Sequence, residues 1–195
     1  MSTRNLVLLG LMASVICFPM SAPAQSLLLQ NAVNLPAADQ WTVMGQDQTH
    51  AVVKDPTVNG GWATTISVTA SGSHEWDVQA GTVTSKKIEK GDVILLAFWA
   101  KRIGLSDSQT AIVVPTLLQV SHAPYTPIGS EALVIGSQWQ LYYVSGVSSL
   151  DLSPGEAGAS LHLASAKQKL ALGPVFILDL GPGYDMTKLP RNLIK

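Results

Sequence analysis

The apolar residues of this chain come in short stretches rich in Val, Ile, Thr and aromatics. No segment combines helical periodicity with start and stop signals over three turns, so strands are favoured over helices. Turn signals such as Asn59-Gly60-Gly61, Lys90-Gly91-Asp92, Ser153-Pro154-Gly155 and Gly181-Pro182-Gly183 separate the stretches. The pattern predicts strands over 27–33, 49–54, 62–69, 76–80, 92–102, 110–120, 131–135, 138–144, 159–164 and 169–180. Single helical turns are expected at 86–90 and 164–168. About ten strands with no linker, repeat or composition break predict one all-β domain, a two-sheet antiparallel β-sandwich.

Alternation then assigns faces. Over 138–144, Trp139, Leu141 and Tyr143 share one face, read as the core face. Gln138, Gln140 and Tyr142 share the other. Over 160–164 the leucines face one way and His162 the opposite way. Residues 92–100 are apolar on both faces, which predicts a central strand whose second face is covered or lines a groove. Trp62, after two glycines, and Trp99 are expected in the core, and Trp41 is placed at the sandwich end.

Residues 1–24 read as an address. Arg4 precedes an apolar stretch from Leu6 to about Met20, and Ala22-Pro23-Ala24 supplies a small-x-small cleavage site. The stretch is short for a membrane span. Cleavage after Ala24 leaves 25–195 as the folded domain, in the periplasm or outside the cell. The single cysteine, Cys17, lies in this leader, so no disulfide or thiolate site is expected in the domain. A lipid anchor wants a small residue before its cysteine, and Ile16 is bulky.

Charge excludes one class of partner. With 12 Lys+Arg, 13 Asp+Glu and a net charge of −1, there is no basic footprint for nucleic acid. Catalytic signatures are absent too: no nucleophile elbow, phosphate loop, dinucleotide fingerprint or His-Glu-x-x-His occurs. The four histidines, His50, His74, His122 and His162, are scattered without metal-ligand spacing. Glu75 and Asp77 are the tightest acid pair. They are the local candidates for a cryptic glycan hydrolase, although such enzymes bring their carboxyls from opposite sides of the sugar.

Four pieces are more specific: Gly60-Gly61-Trp62-Ala63; His74-Glu75-Trp76-Asp77-Val78-Gln79; Lys90-Gly91-Asp92 followed by Leu96-Ala97-Phe98-Trp99-Ala100-Lys101; and Gly173-Pro174-Val175-Phe176-Ile177-Leu178-Asp179. Their order over residues 55–180 resembles the family 4/9-like carbohydrate-binding modules, which are jelly-roll, galactose-binding-like β-sandwiches. The resemblance implies non-catalytic binding of a polysaccharide or oligosaccharide in a concave groove. It places Trp76 and Gln79 at the sugar cleft, matches His162 to a polar sugar contact and matches Gln119 more loosely. Tyr125, in the loop Ala123-Pro124-Tyr125-Thr126-Pro127, is a candidate for the cleft rim.

Trp76 and Gln79 are three apart, so they serve one cleft only if a bulge or strand end falls between them. The family pairs two aspartates in its last strand, where some modules hold a structural calcium. Here Leu178-Asp179 supplies one acid, and no cofactor is expected. The rival to sugar binding is a structural or assembly role in the cell envelope, the same sandwich docking on a protein partner. A contiguous apolar patch would favour that role. The tail 181–195 extends past the usual module end and is read as a strap.

Overall fold

The computed structural model describes residues 30–104 and 112–192. The expected leader and the first three residues of the strand expected at 27–33 lie outside the described residues, and of the rest only Ala32 pairs, in an isolated bridge to Leu178. Ten strands form the antiparallel two-sheet sandwich: β1 (Thr42–Gly45), β2 (Gln48–Lys54), β3 (Trp62–Val68), β4 (Val78–Val83), β5 (Asp92–Arg102), β6 (Ile112–Val120), β7 (Pro127–Ile135), β8 (Gln140–Val147), β9 (Ala157–His162) and β10 (Gln168–Pro182). One sheet has the order β2-β3-β10-β5-β8 and the other β1-β4-β9-β6-β7.

The two inner faces meet in one aliphatic and aromatic core. Ile66, Leu96, Phe98, Leu170 and Ile177 from the first sheet face Val78, Leu118, Leu133 and Leu161 from the second. Trp41 is buried here rather than at a rim. Its ring meets Phe98 edge-on with centroids 5.6 Å apart, and its indole N–H donates to the Gly173 carbonyl at 2.8 Å. At one flank β7 and β8 cross so closely that a Cβ on Gly146 would lie 1.8 Å from the Ile128 carbonyl oxygen. Only glycine permits that approach.

Strand β10 changes neighbours along its length. It pairs with β3 as far as Leu172, and a register shift falls between Leu172 and Val175, at Gly173-Pro174. Beyond it the segment at 32–34 takes over from β3. The Val33 N–H donates to the Ile177 carbonyl at 2.8 Å, and Ala32 bridges Leu178. The buried Asn34 amide completes the ladder, donating to the Val175 carbonyl at 3.0 Å and accepting from the Ile177 N–H at 2.7 Å.

The outer face of β5 is covered, as its two-sided apolar pattern requires. Val93 and Leu95 pack with Ala32, Leu178 and Leu189, the last from the tail. The tail is a strap: Asn192 accepts from the Tyr143 N–H at 2.9 Å and donates to the Tyr143 carbonyl at 2.7 Å on edge strand β8. Elsewhere on the outer face of this sheet the Asp55 carboxylate joins Lys101, at 2.8 Å, to the Trp139 indole N–H. Burial alone would push that carboxyl up, but Lys101 and the hydroxyl and amide of Thr57 outweigh it and hold it far below the usual range.

Several sequence expectations are corrected. The strand expected at 76–80 begins only at Val78, because Glu75–Asp77 is a 3-10 turn. Residues 86–90 hold no helical turn; Ile88 bridges Leu152 instead. Short β1 escaped the pattern, with Val43 alone turned toward the core. The inward face of β8 is the opposite of the one expected: Tyr142 and Val144 enter the core, while Tyr143 and Trp139 pack on the outer side. Both faces of β8 are apolar because the strap covers one, so alternation alone could not tell them apart. Trp62 is not core either; it is 45% exposed, with the Lys54 ammonium 5.4 Å from its ring centroid.

Asn34→Ala removes both partners of two buried backbone groups. It is expected to lower unfolding free energy by about 3 kcal/mol, read from the urea midpoint at unchanged slope.

Candidate functional site

The turn that replaces the start of the expected strand is what builds the site. Glu75–Asp77 is pinned to the end of β9: the Leu163 N–H donates to the Val78 carbonyl at 2.8 Å, and the Ala164 N–H to the Glu75 carbonyl at 2.9 Å. The turn also caps itself, with the Asp77 carboxylate accepting from the His74 backbone N–H at 2.9 Å. That bond, ahead of the small opposing effect of burial and reinforced by the charge of His74, holds the Asp77 carboxyl below its ordinary value. Gly72 leaves room for it, since a Cβ there would lie 2.7 Å from an Asp77 carboxylate oxygen.

This geometry lifts Trp76 out of the sandwich. Its side chain is half exposed. His74 stacks on one indole face at 4.7 Å between centroids and 17° between planes, and His162 meets the ring edge-on at 6.1 Å. His162 is nine-tenths buried, on the face of β9 opposite Leu161, with its Nδ1 3.4 Å from a Glu75 carboxylate oxygen.

The strand end between Trp76 and Gln79 meets the condition set by their spacing. Gln79 lies opposite His162 across the β4–β9 ladder, on the outer face of its sheet. Each end of its amide makes one hydrogen bond: Nε2 donates to the Trp76 carbonyl at 2.9 Å, and Oε1 accepts from the Ser160 hydroxyl at 2.8 Å. Gln79 thereby ties the tryptophan turn to β9, with a second amide N–H left over.

Trp76, Gln79 and His162 thus come together, and Gln119 and Tyr125 do not join them. Gln119 pairs with Gly158, four residues along β9 from His162, a separation of roughly 13 Å at strand rise. Tyr125, exposed and at φ +56°, lies in the loop that follows the same end of β6. Gly81, Ser160 and Leu117 form a rung between these two ends. Farther across the sheet, the exposed Val113 and Val134 face each other on β6 and β7.

Sequence reasoning left His74 and Ser160 without a role, although His74 stands in the quoted motif beside Trp76. It also missed the surroundings of Trp62, which helps line a cavity of about 410 Å³ with Pro36, Val52 and Pro174. A separate cavity of about 610 Å³ lies between the β7–β8 flank and the strap, among Tyr142, Tyr143, Met186 and Leu189.

Among the described residues no three His, Cys, Asp or Glu side chains converge to hold an ion. Where the resemblance places a calcium, Asp179 instead faces Asp92 and Glu89. Burial, then the repulsion of these acids, raises its carboxyl above the ordinary value against a lowering bond from the Gly181 N–H. Among the described residues no helix is long and apolar enough to cross a membrane.

No family model matches the sequence, and no curated protein matches it. Solved structures do. The chain is similar to a CBM4 carbohydrate-binding module at 17% identity and TM-score 0.54, covering 72% of this chain and 95% of that one. It is similar to the CBM22-1 xylan-binding domain of Paenibacillus barcinonensis Xyn10C at 13% and 0.53, covering 78% and 94%. It is also similar to the Stig cyclase Fisc of Fischerella sp. TAU at 8% and 0.54, covering 73% and 86%. At these identities the likeness is one of fold: the chain has the jelly-roll sandwich of carbohydrate-binding modules, a scaffold that also carries a cyclase.

The raised Asp179 carboxyl yields a signed prediction. Such a group stabilises the fold below its unfolded value, near pH 4, and loses that contribution as pH rises through its folded value. Asp179→Asn, neutral throughout, is expected to raise the urea midpoint at pH 7.5, with the gain shrinking to nothing near pH 4.

Proposed function

We propose that this protein binds a polysaccharide or oligosaccharide, without catalysis, on the outer face of the β1-β4-β9-β6-β7 sheet. The observation that carries this reading is the Trp76 indole, half exposed on a rigid, self-capped turn at one end of that face. The apolar CH face of a sugar stacks on such a ring, and its hydroxyls pair with imidazole and carboxylate groups. His162 and Glu75 are the polar partners, and Gln79 and Ser160 hold the turn in place. Gln119 and Tyr125 would meet only a ligand long enough to reach the far end. The leader-like sequence at 1–24 supports export to the periplasm or beyond, where such ligands occur.

A hydrolase is disfavoured by the geometry of its two candidate acids. Glu75 and Asp77 share one turn, and Asp77 is committed to capping His74, so the pair does not flank a sugar from opposite sides.

Affinity electrophoresis against a panel of soluble plant and bacterial polysaccharides tests the proposal. Retardation by one class is expected, and Trp76→Ala should weaken it at least about tenfold, as truncating a central aromatic anchor does. Undiminished retardation of the variant would remove Trp76 from the site.

One observation favours a second reading, contact with a protein partner. Val113 and Val134 form an exposed aliphatic pair, and Pro115 and Ala132 are the next outward pair on the same strands. Val134→Glu is expected to leave glycan retardation unchanged if the Trp76 end binds sugar. It should abolish co-purification of a partner if the stripe is the contact.

A further inference from the structure

Around the exposed indole every formally charged side chain of the turn is an acid. Glu75 and Asp77 stand on either side of Trp76, with side chains 42% and 40% exposed. Among the described residues their ionic partners are imidazoles, His162 at 3.4 Å and His74 at 3.5 Å, and no Lys or Arg takes part in these pairs. The one amide nearby, Gln79, is bonded at both ends. His74 covers one face of the ring. Asp77 is tied to the backbone of His74, so Glu75 is the carboxylate left to meet a ligand. Its bond to His162 is long, at the limit of hydrogen bonding.

A ligand stacked on the exposed part of the indole therefore meets carboxylates, with imidazoles but no Lys or Arg in the ion pairs beside them. A glycan bearing carboxylates or sulfates is repelled there. An ammonium beside the stacked ring gains twice: a charge-assisted hydrogen bond to a carboxylate, and attraction to the electron-rich indole. Building on the carbohydrate-binding reading, we infer that the Trp76 site selects amino sugars with a free ammonium over their neutral counterparts, with Glu75 as the specificity-determining residue.

The test compares tetrasaccharides of 2-amino-2-deoxyglucose and of its N-acetylated form, which share a backbone and differ in charge, with polygalacturonate as the anionic probe. Titration calorimetry on the full chain reads the affinity ratio. The amino form is expected to bind about tenfold tighter, as one charge-assisted contact supplies. Glu75→Gln should cut the ratio several-fold, leaving only the part the indole supplies, Asp185→Asn in the tail should leave it unchanged, and 500 mM salt should shrink it relative to 50 mM. Polygalacturonate should not bind.

Equal binding of the two tetrasaccharides, both lost in Trp76→Ala, would overturn the charge selection and leave carbohydrate binding standing. A preference undiminished by Glu75→Gln would overturn the assignment of Glu75. Absence of binding to these tetrasaccharides and to every polysaccharide of the panel would overturn both readings together.

Discussion

The ladder of β10 is the constraint on which the rest of the sandwich depends. Fifteen residues long, it is flanked by β5 along most of its length, but β3 reaches only to Leu172. Past that point its backbone groups on one side would be buried without partners, each costing about 1–3 kcal/mol. Pro174, which has no N–H, falls where the register shifts, and the 32–34 segment with the Asn34 amide satisfies the rest. The same solution recurs at the other edge of the sheet, where the Asn192 amide holds the Tyr143 backbone. Two asparagines thus tie both ends of the described chain onto the first sheet and cover the outer face of β5.

With the outer face of β5 covered by these segments, the candidate site lies on the outer face of the other sheet, where its polar chemistry is set by a single turn. The hydrogen bonds to Leu163 and Ala164 hold Glu75–Asp77 against the end of β9, so Trp76 and His162 meet although 86 positions separate them. Gly81 and Ser160 keep their part of the neighbouring rung low, and Ser160 and Gln79 bond to each other and to the turn. Half-exposed aromatic surface held this rigidly limits the entropy lost when a ligand binds.

Much of the fold was legible because strand periodicity and turn residues are local signals. β5 matches its predicted bounds, and the two-sided apolar pattern foretold that its outer face is covered. β8 shows the limit: alternation separated its faces correctly but put the wrong one inside, since the strap makes both apolar. Trp62 misled for a related reason. It shares the inward register of Thr64 and Ile66 yet lies at the strand end, where the covering segment leaves a cavity. Of the candidate residues, Trp76, Gln79 and His162 were named from the family resemblance and stand close together here, but the use of both ends of the Gln79 amide was not foreseen. That depends on Ser160, which no local pattern links to it.

By itself the sequence determined what depends on neighbours along the chain: most of the strands, the turns between them and the all-β class. Side-chain period and turn conformation are set within a few residues, so they can be read there. Tertiary structure decided which face of β8 lies inside, where β10 changes partner, and that Trp76 stands on a turn beside His162 with acids around it. Those outcomes come from hydrogen bonds and packing between residues tens of positions apart, which become neighbours only once the two sheets have closed on each other.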